Sequence, residues 1–234
     1  MSMKNDLHVY EEIMLLALKD KEGTVAANDV GFLFSLGGSL LAELLLMEKI
    51  SIEKVKKNKT MVTLENPNPI GDPLLDECLE KLRSAKRRGT VNTWVSRFGH
   101  LKKLKHRAAQ QLCRRGILRA DEKSVLLLFS RKIYPELDPG PERSVVERLR
   151  EAIFTETQEL DPRTSVLVAL ADKAGVLKNV FDKKALKERK ERLRKIGEGD
   201  LAAAAVKELV AATQVAVMAA VTASTAAATS AATS

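Results

Sequence analysis

The longest apolar run in the chain is VGFLFSLGGSLLAELLLM, from Val30 to Met47. It is hydrophobic on nearly every side and carries one charge, Glu43. Its eighteen residues reach the length of a membrane span. Against that reading, Gly31, Gly37, Gly38, Ser35 and Ser39 dilute it, and Glu43 sits in its last turns. A helix that is hydrophobic all round lies either in lipid or at the centre of a protein core. The segments on either side are amphipathic, each with one apolar face in need of a partner. The pattern therefore predicts a buried central helix around which the rest of the chain is arranged.

Leu7 to Lys19 has helical spacing at Leu7, Tyr10, Met14, Leu15 and Leu18, with Asp6 as N-cap and Glu11–Glu12 as helix-terminus or solvated-face residues. Asn28 or Asp29 caps the central helix. Ile50 to Leu64 alternates around the basic connection 54–59 and predicts a hairpin. Asp72-Pro73 places a capping oxygen and a first-turn proline at the start of a helix, with Leu74, Leu75, Cys78, Leu79 and Leu82 as its buried stripe. A short helix over Val91–Phe98 carries the only tryptophan, Trp94. A basic helix follows over Leu101–Arg115.

Ile117–Ile133 reads as a second hairpin, with Asp121-Glu122-Lys123 as its polar turn and Val125–Phe129 as a continuous apolar strand. Helices are predicted over Glu142–Phe154, from Pro162 to about residue 174, over Lys183–Lys195 and, because alanine favours helix, from Leu201 to about residue 221. The fold class is mainly α: a single helical domain with a central buried helix bundle, surrounding amphipathic helices and two short β-hairpins. Residues 1–6 form an N-terminal tail, 7–222 the domain, and 223–234 a low-complexity Ala/Ser/Thr tail.

A net charge of +8 points to a polyanionic partner. Aromatic residues make up only 4% of the chain, too few for stacking platforms on single-stranded nucleic acid. Two cysteines, Cys78 and Cys113, make no disulfide framework, and the N-terminus has no signal pattern. A cytoplasmic protein is expected.

No catalytic constellation assembles. The three histidines stand in unrelated contexts, metal-ligand spacings and phosphate-binding glycine loops are missing, and Gly37-Gly38 lies inside the apolar helix, where it permits close packing. No enzyme activity, metal or cofactor is expected. The stronger signal is basic: Arg87, Arg88 and Arg97, then Lys102, Lys105 and Arg107. Such a run near an anionic bilayer contributes about 1 kcal/mol per residue. Short helix, basic helix and hairpin over 91–133 is also the order of a winged helix-turn-helix. An acidic Asp121-Glu122 at the tip and the apolar VLLLF segment count against nucleic acid and suit membrane contact or self-association. A protein adaptor with an incidental basic face is the third reading.

Several stretches together resemble the Golgi phosphoprotein 3 family of phosphatidylinositol 4-phosphate binding proteins, closest to its bacterial-type branch. They are Glu11 to Asp20 with Glu22-Gly23, Leu40 to Leu44, Pro69 to Glu77, Arg107 to Leu118, Tyr134 to Asp138, and Asp161 to Thr164. The resemblance runs from about residue 7 to 220.

It implies a peripheral membrane protein that binds anionic head groups, with phosphatidylinositol 4-phosphate as the lipid, and that acts as an adaptor, at the Golgi face in a eukaryote. The head-group positions on the basic helix would be Lys102 and Lys105, where eukaryotic members have arginine. A lysine keeps the charge and loses the bidentate fork. Arg107, Arg97, Arg87 and Arg88 supply the surrounding charge. The 117–133 hairpin, with Val125, Leu126, Leu127, Leu128 and Phe129 at its apolar part, would serve membrane contact and homo-oligomer formation. The family's pocket tryptophan and arginine align here with Asn28 and Gly37, and the family's N-terminal arginine cluster has no counterpart.

Overall fold

The computed structural model describes residues 7–19, 23–25, 30–56, 59–125 and 129–200. Its elements are α1 (Val9–Ala17), β1 (Leu18–Lys19), β2 (Thr24–Val25), α2 (Val30–Leu46), β3 (Ile50–Lys56), β4 (Lys59–Leu64), α3 (Pro73–Arg83), α4 (Val91–Gly99), α5 (Leu104–Arg114), β5 (Asp121–Val125), β6 (Phe129–Ile133), α6 (Gly140–Phe154), α7 (Pro162–Lys173), α8 (Leu177–Val180), α9 (Lys183–Glu188) and α10 (Lys190–Gly197). The chain is a mainly α single domain. Three antiparallel strand pairs accompany the helices among the described residues: β1–β2, β3–β4 and β5–β6. Asp6, Asn28, Asp29 and the alanine-rich segment after residue 200 lie outside the described residues.

The central helix forms where the apolar run predicts it. Phe32, Phe34, Leu36, Leu40, Leu41 and Leu44 of α2 are all buried. The serines that dilute its hydrophobicity close their hydrogen bonds within the helix, Ser35 Oγ to the Gly31 carbonyl at 3.0 Å and Ser39 Oγ to that of Leu36 at 2.8 Å, so burying them leaves no orphaned hydroxyl. A Cβ at Gly37 would lie 2.5 Å from the Val95 carbonyl oxygen and 2.6 Å from the Gly99 nitrogen. The missing side chain lets the backbones of α2 and α4 touch. No helix of the described residues is long and apolar enough to cross a membrane.

Around α2 stand α1, α3, α4, α5 and α7, with α6 and α10 packed on α7. Asp72 caps α3 by accepting from the N–H groups of Leu74 and Leu75, both at 2.9 Å. Its stripe of Leu74, Leu75, Cys78, Leu79 and Leu82 is buried as the spacing predicts. Asp161 caps α7 through the Thr164 N–H at 3.0 Å.

Four expectations need correction. All nine residues of α1 are buried, Glu11 and Glu12 included, rather than only one face. The helix is enclosed by α2, α5, α6, α7 and α8, and its carboxylates meet arginines instead of water. The basic helix begins at Leu104 and not at Leu101, because Lys103 has a left-handed backbone (φ 55°) that separates a turn over 101–103 from α5. The charged helix expected over 183–195 is two helices broken at Arg189.

The second hairpin reverses in a different place. Asp121, Glu122 and Lys123 are in strand β5, opposite Ile133, Lys132 and Arg131. One register runs from the Leu118–Glu136 bridge to the Val125–Phe129 pair. Strand β5 therefore runs on to Val125, and β6 starts at Phe129. Leu126, Leu127 and Leu128 lie outside the described residues, and Val125 and Phe129 are described by backbone pairing only.

Candidate functional site: a basic turn and helix, and a buried ion network

The basic surface is built from the link after α3, from α4, and from the turn leading into α5. Trp94 is buried with Phe98 on the inner side of α4, which leaves Arg97 exposed, its guanidinium 4.7 Å from the centre of the Trp94 ring. Cation–π contact of this kind holds a long side chain in place without neutralising it.

Lys102 is exposed in the turn and Lys105 half-buried on the first turn of α5. Leu101, Leu104 and Ala108 anchor the same segment in the core. Between the lysines and the core lies His106, whose Nδ1 is 2.9 Å from the Tyr134 hydroxyl. Burial, and then the charges of Lys105, Lys132 and Lys103, push the imidazole below its ordinary range. Those three cations thus make one positive field drawn from α5, β6 and the turn between α4 and α5.

The other basic residues divide. Arg87 is exposed. Arg88 is exposed but reaches Glu53 of β3 at 2.5 Å, and Arg107, half-buried, pairs with Glu77 of α3 at 2.5 Å. Their charges are partly neutralised on the protein, while Arg87, Arg97 and Lys102 stand exposed.

A second constellation, not anticipated from the sequence, lies where the N-terminal end of α1 meets α2, α5, α6 and α7. Three carboxylates are almost inaccessible: Glu11, Glu12 and Glu43, at 1%, 2% and 2% exposure. Each meets an arginine from a distant element. Arg115 reaches Glu11 at 2.7 Å, Arg148 reaches Glu12 at 2.5 Å, and Arg163 grips Glu43 with both terminal nitrogens, at 3.2 and 3.0 Å. Arg163 also donates to the Leu7 carbonyl. Glu43 accepts in addition from the Val9 N–H at 2.6 Å and lies 3.1 Å from His8 Nδ1.

Burial alone would raise the Glu43 carboxyl. The bond to His8, the charge of Arg163 and the Val9 N–H outweigh it and hold the group below the usual carboxylate range. Burial would lower the His8 imidazole, but its hydrogen bond to Glu43 and the charges of Glu43, Glu11 and Asp72 raise it. For Glu11 and Glu12 burial prevails over their arginines and raises both. A cleft of about 580 Å³ opens beside this network, with Met47, Asp72, Gln111 and Arg114 on its walls. Gln111 and the Tyr10 hydroxyl both bond Asp72 Oδ2, at 3.2 and 2.6 Å. The sequence signal for the network is Glu43 itself, the one charge inside the apolar run; a helix buried on every side makes any carboxylate on it seek a cation.

Fold and surface together define a class: a helical protein with a cationic turn and helix mounted on a buried central bundle. The Golgi phosphoprotein 3 (GPP34) family matches residues 9–213, and the chain belongs to that family. Among curated proteins it is similar to vacuolar protein sorting-associated protein 74 of Schizosaccharomyces pombe, with 27% identity over 221 residues. That match covers 82% of this chain and 65% of the relative, so the chain spans less than two thirds of the relative's length.

Proposed function

We propose that the protein binds peripherally to membranes by docking anionic phospholipid head groups on the surface around Lys102 and Lys105, with phosphatidylinositol 4-phosphate as the preferred lipid. The observation that carries this reading is the exposed Lys102 in a core-anchored turn, followed by Lys105 on the first turn of α5. Membership of the Golgi phosphoprotein 3 family supports a phospholipid partner. Arg97 and Arg87 extend the surface. Arg88 and Arg107 contribute less, because Glu53 and Glu77 already hold them.

The hairpin over 117–133 supplies membrane contact and the interface of a homo-oligomer, and an adaptor role in membrane traffic follows from the family. Placement is cytoplasmic and peripheral, on the Golgi face in a eukaryotic host. The domain extends over 7–222, between the tails 1–6 and 223–234.

The test is vesicle flotation of Lys102→Glu with Lys105→Glu. At about 1 kcal/mol per basic residue near an anionic surface, losing two cations weakens partitioning roughly thirtyfold, and the two added carboxylates weaken it further. The double variant should leave the vesicles while its helical circular dichroism stays unchanged. Undiminished flotation of the folded double variant would contradict the assignment.

A further inference from the structure

The last described helices carry a second basic surface. α9 has no buried residue, and α10, which follows it directly, buries Leu193 and Ile196. The charged side chains of this stretch divide by kind. Its arginines are bound to the protein itself. Arg192 donates to the Ala152 and Thr157 carbonyls at 2.7 and 2.8 Å. Arg189 donates to the Phe154 carbonyl at 3.1 Å and to Glu156 at 2.7 Å, and Arg194 holds Glu191 and Glu198. Asp182 caps α9 by accepting from the N–H groups of Lys184 and Ala185, at 2.9 and 3.0 Å. What stands outside is lysine. Lys178, Lys183, Lys184, Lys187, Lys190 and Lys195 are exposed, and among the described residues none of them pairs with a carboxylate.

On α9, Lys183 and Lys187 are four residues apart and Lys184 and Lys187 three apart, spacings at which like charges repel. Glu191, four residues after Lys187, is taken by Arg194. Of the carboxylates over 182–195, Glu188 alone has neither an arginine nor a cap to hold, so the row keeps an excess of positive charge. Such an excess attracts a polyanion, and the row itself says of which kind. The large exposed hydrophobics, Met47, Val55 and Leu137, all lie elsewhere, so nothing in the row can enter a bilayer. It exposes no aromatic ring on which a base could stack. Lysine brings a point charge on a flexible stem and lacks the fork with which arginine reads phosphate. Carboxylates on an extended chain suit it best. A helical path from Lys183 to Lys195 spans roughly 18 Å, which an extended segment covers in about six residues. Position agrees: α10 packs on α7, α7 on α2 and α2 on α4, so two layers of helix separate the row from the helix that carries Arg97.

We propose that the lysine row of α9 and α10 is a docking surface for an extended acidic segment of a partner protein, its carboxylates paired with Lys183, Lys184, Lys187 and Lys190. The row is separate from the surface around Lys102, and its assignment does not depend on the lipid reading.

The test is fluorescence anisotropy of labelled octaglutamate titrated with the full chain at near-physiological salt, with octaglutamine as the neutral control. Octaglutamate should bind saturably and octaglutamine should not. Triglutamate, too short for the row, should bind more weakly. Lys184→Gln with Lys187→Gln and Lys190→Gln removes three exposed charges and should weaken octaglutamate binding about tenfold, with unchanged helical circular dichroism. Lys102→Glu with Lys105→Glu changes the net charge by more, and should leave the affinity within about twofold because its charges lie beyond the screening length. Flotation on anionic vesicles should be the same for the triple glutamine variant and the parent. Three results would each overturn the proposal. Octaglutamate binding that weakens equally in both variants, or in neither, means attraction to bulk charge. Tighter binding of charge-matched duplex DNA through the same lysines assigns the row to nucleic acid. Loss of flotation in the triple variant assigns it to the membrane.

Discussion

Arg163 joins three parts of the chain at one guanidinium: it grips Glu43 of α2, donates to the Leu7 carbonyl before α1, and stands near Glu12. Arg163→Met leaves Glu43 and Glu12 in the core with fewer cations. Stability should fall by about 3 kcal/mol, read as a lower urea midpoint. Lys102→Ala, exposed and outside the core, should stay within about 0.5 kcal/mol of the parent in the same experiment. His8 makes this corner sensitive to pH. Its folded-state pKa is raised from 6.5, so its contribution is fully present below pH 6.5 and is lost as the pH rises through the folded value. Glu43 works in the opposite sense: its pKa is lowered from 4.5, and its contribution is present above 4.5 and lost as the pH falls through the folded value. The stability difference between the parent and His8→Gln, followed by urea unfolding at a series of pH values, should therefore be largest between these limits and shrink on the alkaline side. A difference that grows with alkalinity would contradict the His8–Glu43 pairing.

Among the elements, those with their own punctuation were legible in the sequence and those set by tertiary contact were not. Asp72-Pro73 and Asp161-Pro162 start α3 and α7 with cap and proline, and nothing distant is needed to place them. In the second hairpin, composition points the wrong way: Val125–Phe129 has the apolar make-up of one continuous strand, yet Val125 and Phe129 belong to different strands. Its register is set at the other end, where Ile133 and Tyr134 are buried and the Leu118–Glu136 bridge fixes the pairing. Glu122 then falls opposite Lys132, a favourable cross-strand charge pair. The neighbours of Lys102 have helical spacing, and nothing in the sequence marks the left-handed Lys103 that ends the turn. The ion network escaped detection for the same reason, since nothing local says that α1 is covered on every side. The contact of α2 with α4 gives a test at this scale. Gly37→Ala puts a Cβ 2.5 Å from a carbonyl oxygen of α4. Backbone cannot yield as a side-chain tip does, so the variant should lose about 2 kcal/mol in urea unfolding. A neutral substitution would mean that the two helices do not touch there.

For the whole molecule, the buried bundle and the cationic surface divide the work: α2 and the ion network hold the helices, and α4, the turn and α5 present charge to the outside. At Gly37 the backbone of α4 fills the space a side chain would need. In the proposed function, head-group recognition falls to the lysines of the turn and α5 and to Arg97. The most direct measurement is flotation of the purified protein at near-physiological salt. It compares neutral vesicles, vesicles with a generic anionic lipid, and charge-matched vesicles containing phosphatidylinositol 4-phosphate. The expected result is no flotation with neutral vesicles, flotation with both anionic sets, and more protein on the phosphoinositide at equal charge. Absence of the folded protein from both anionic sets would contradict the account, and equal partitioning between them would remove the phosphoinositide from it.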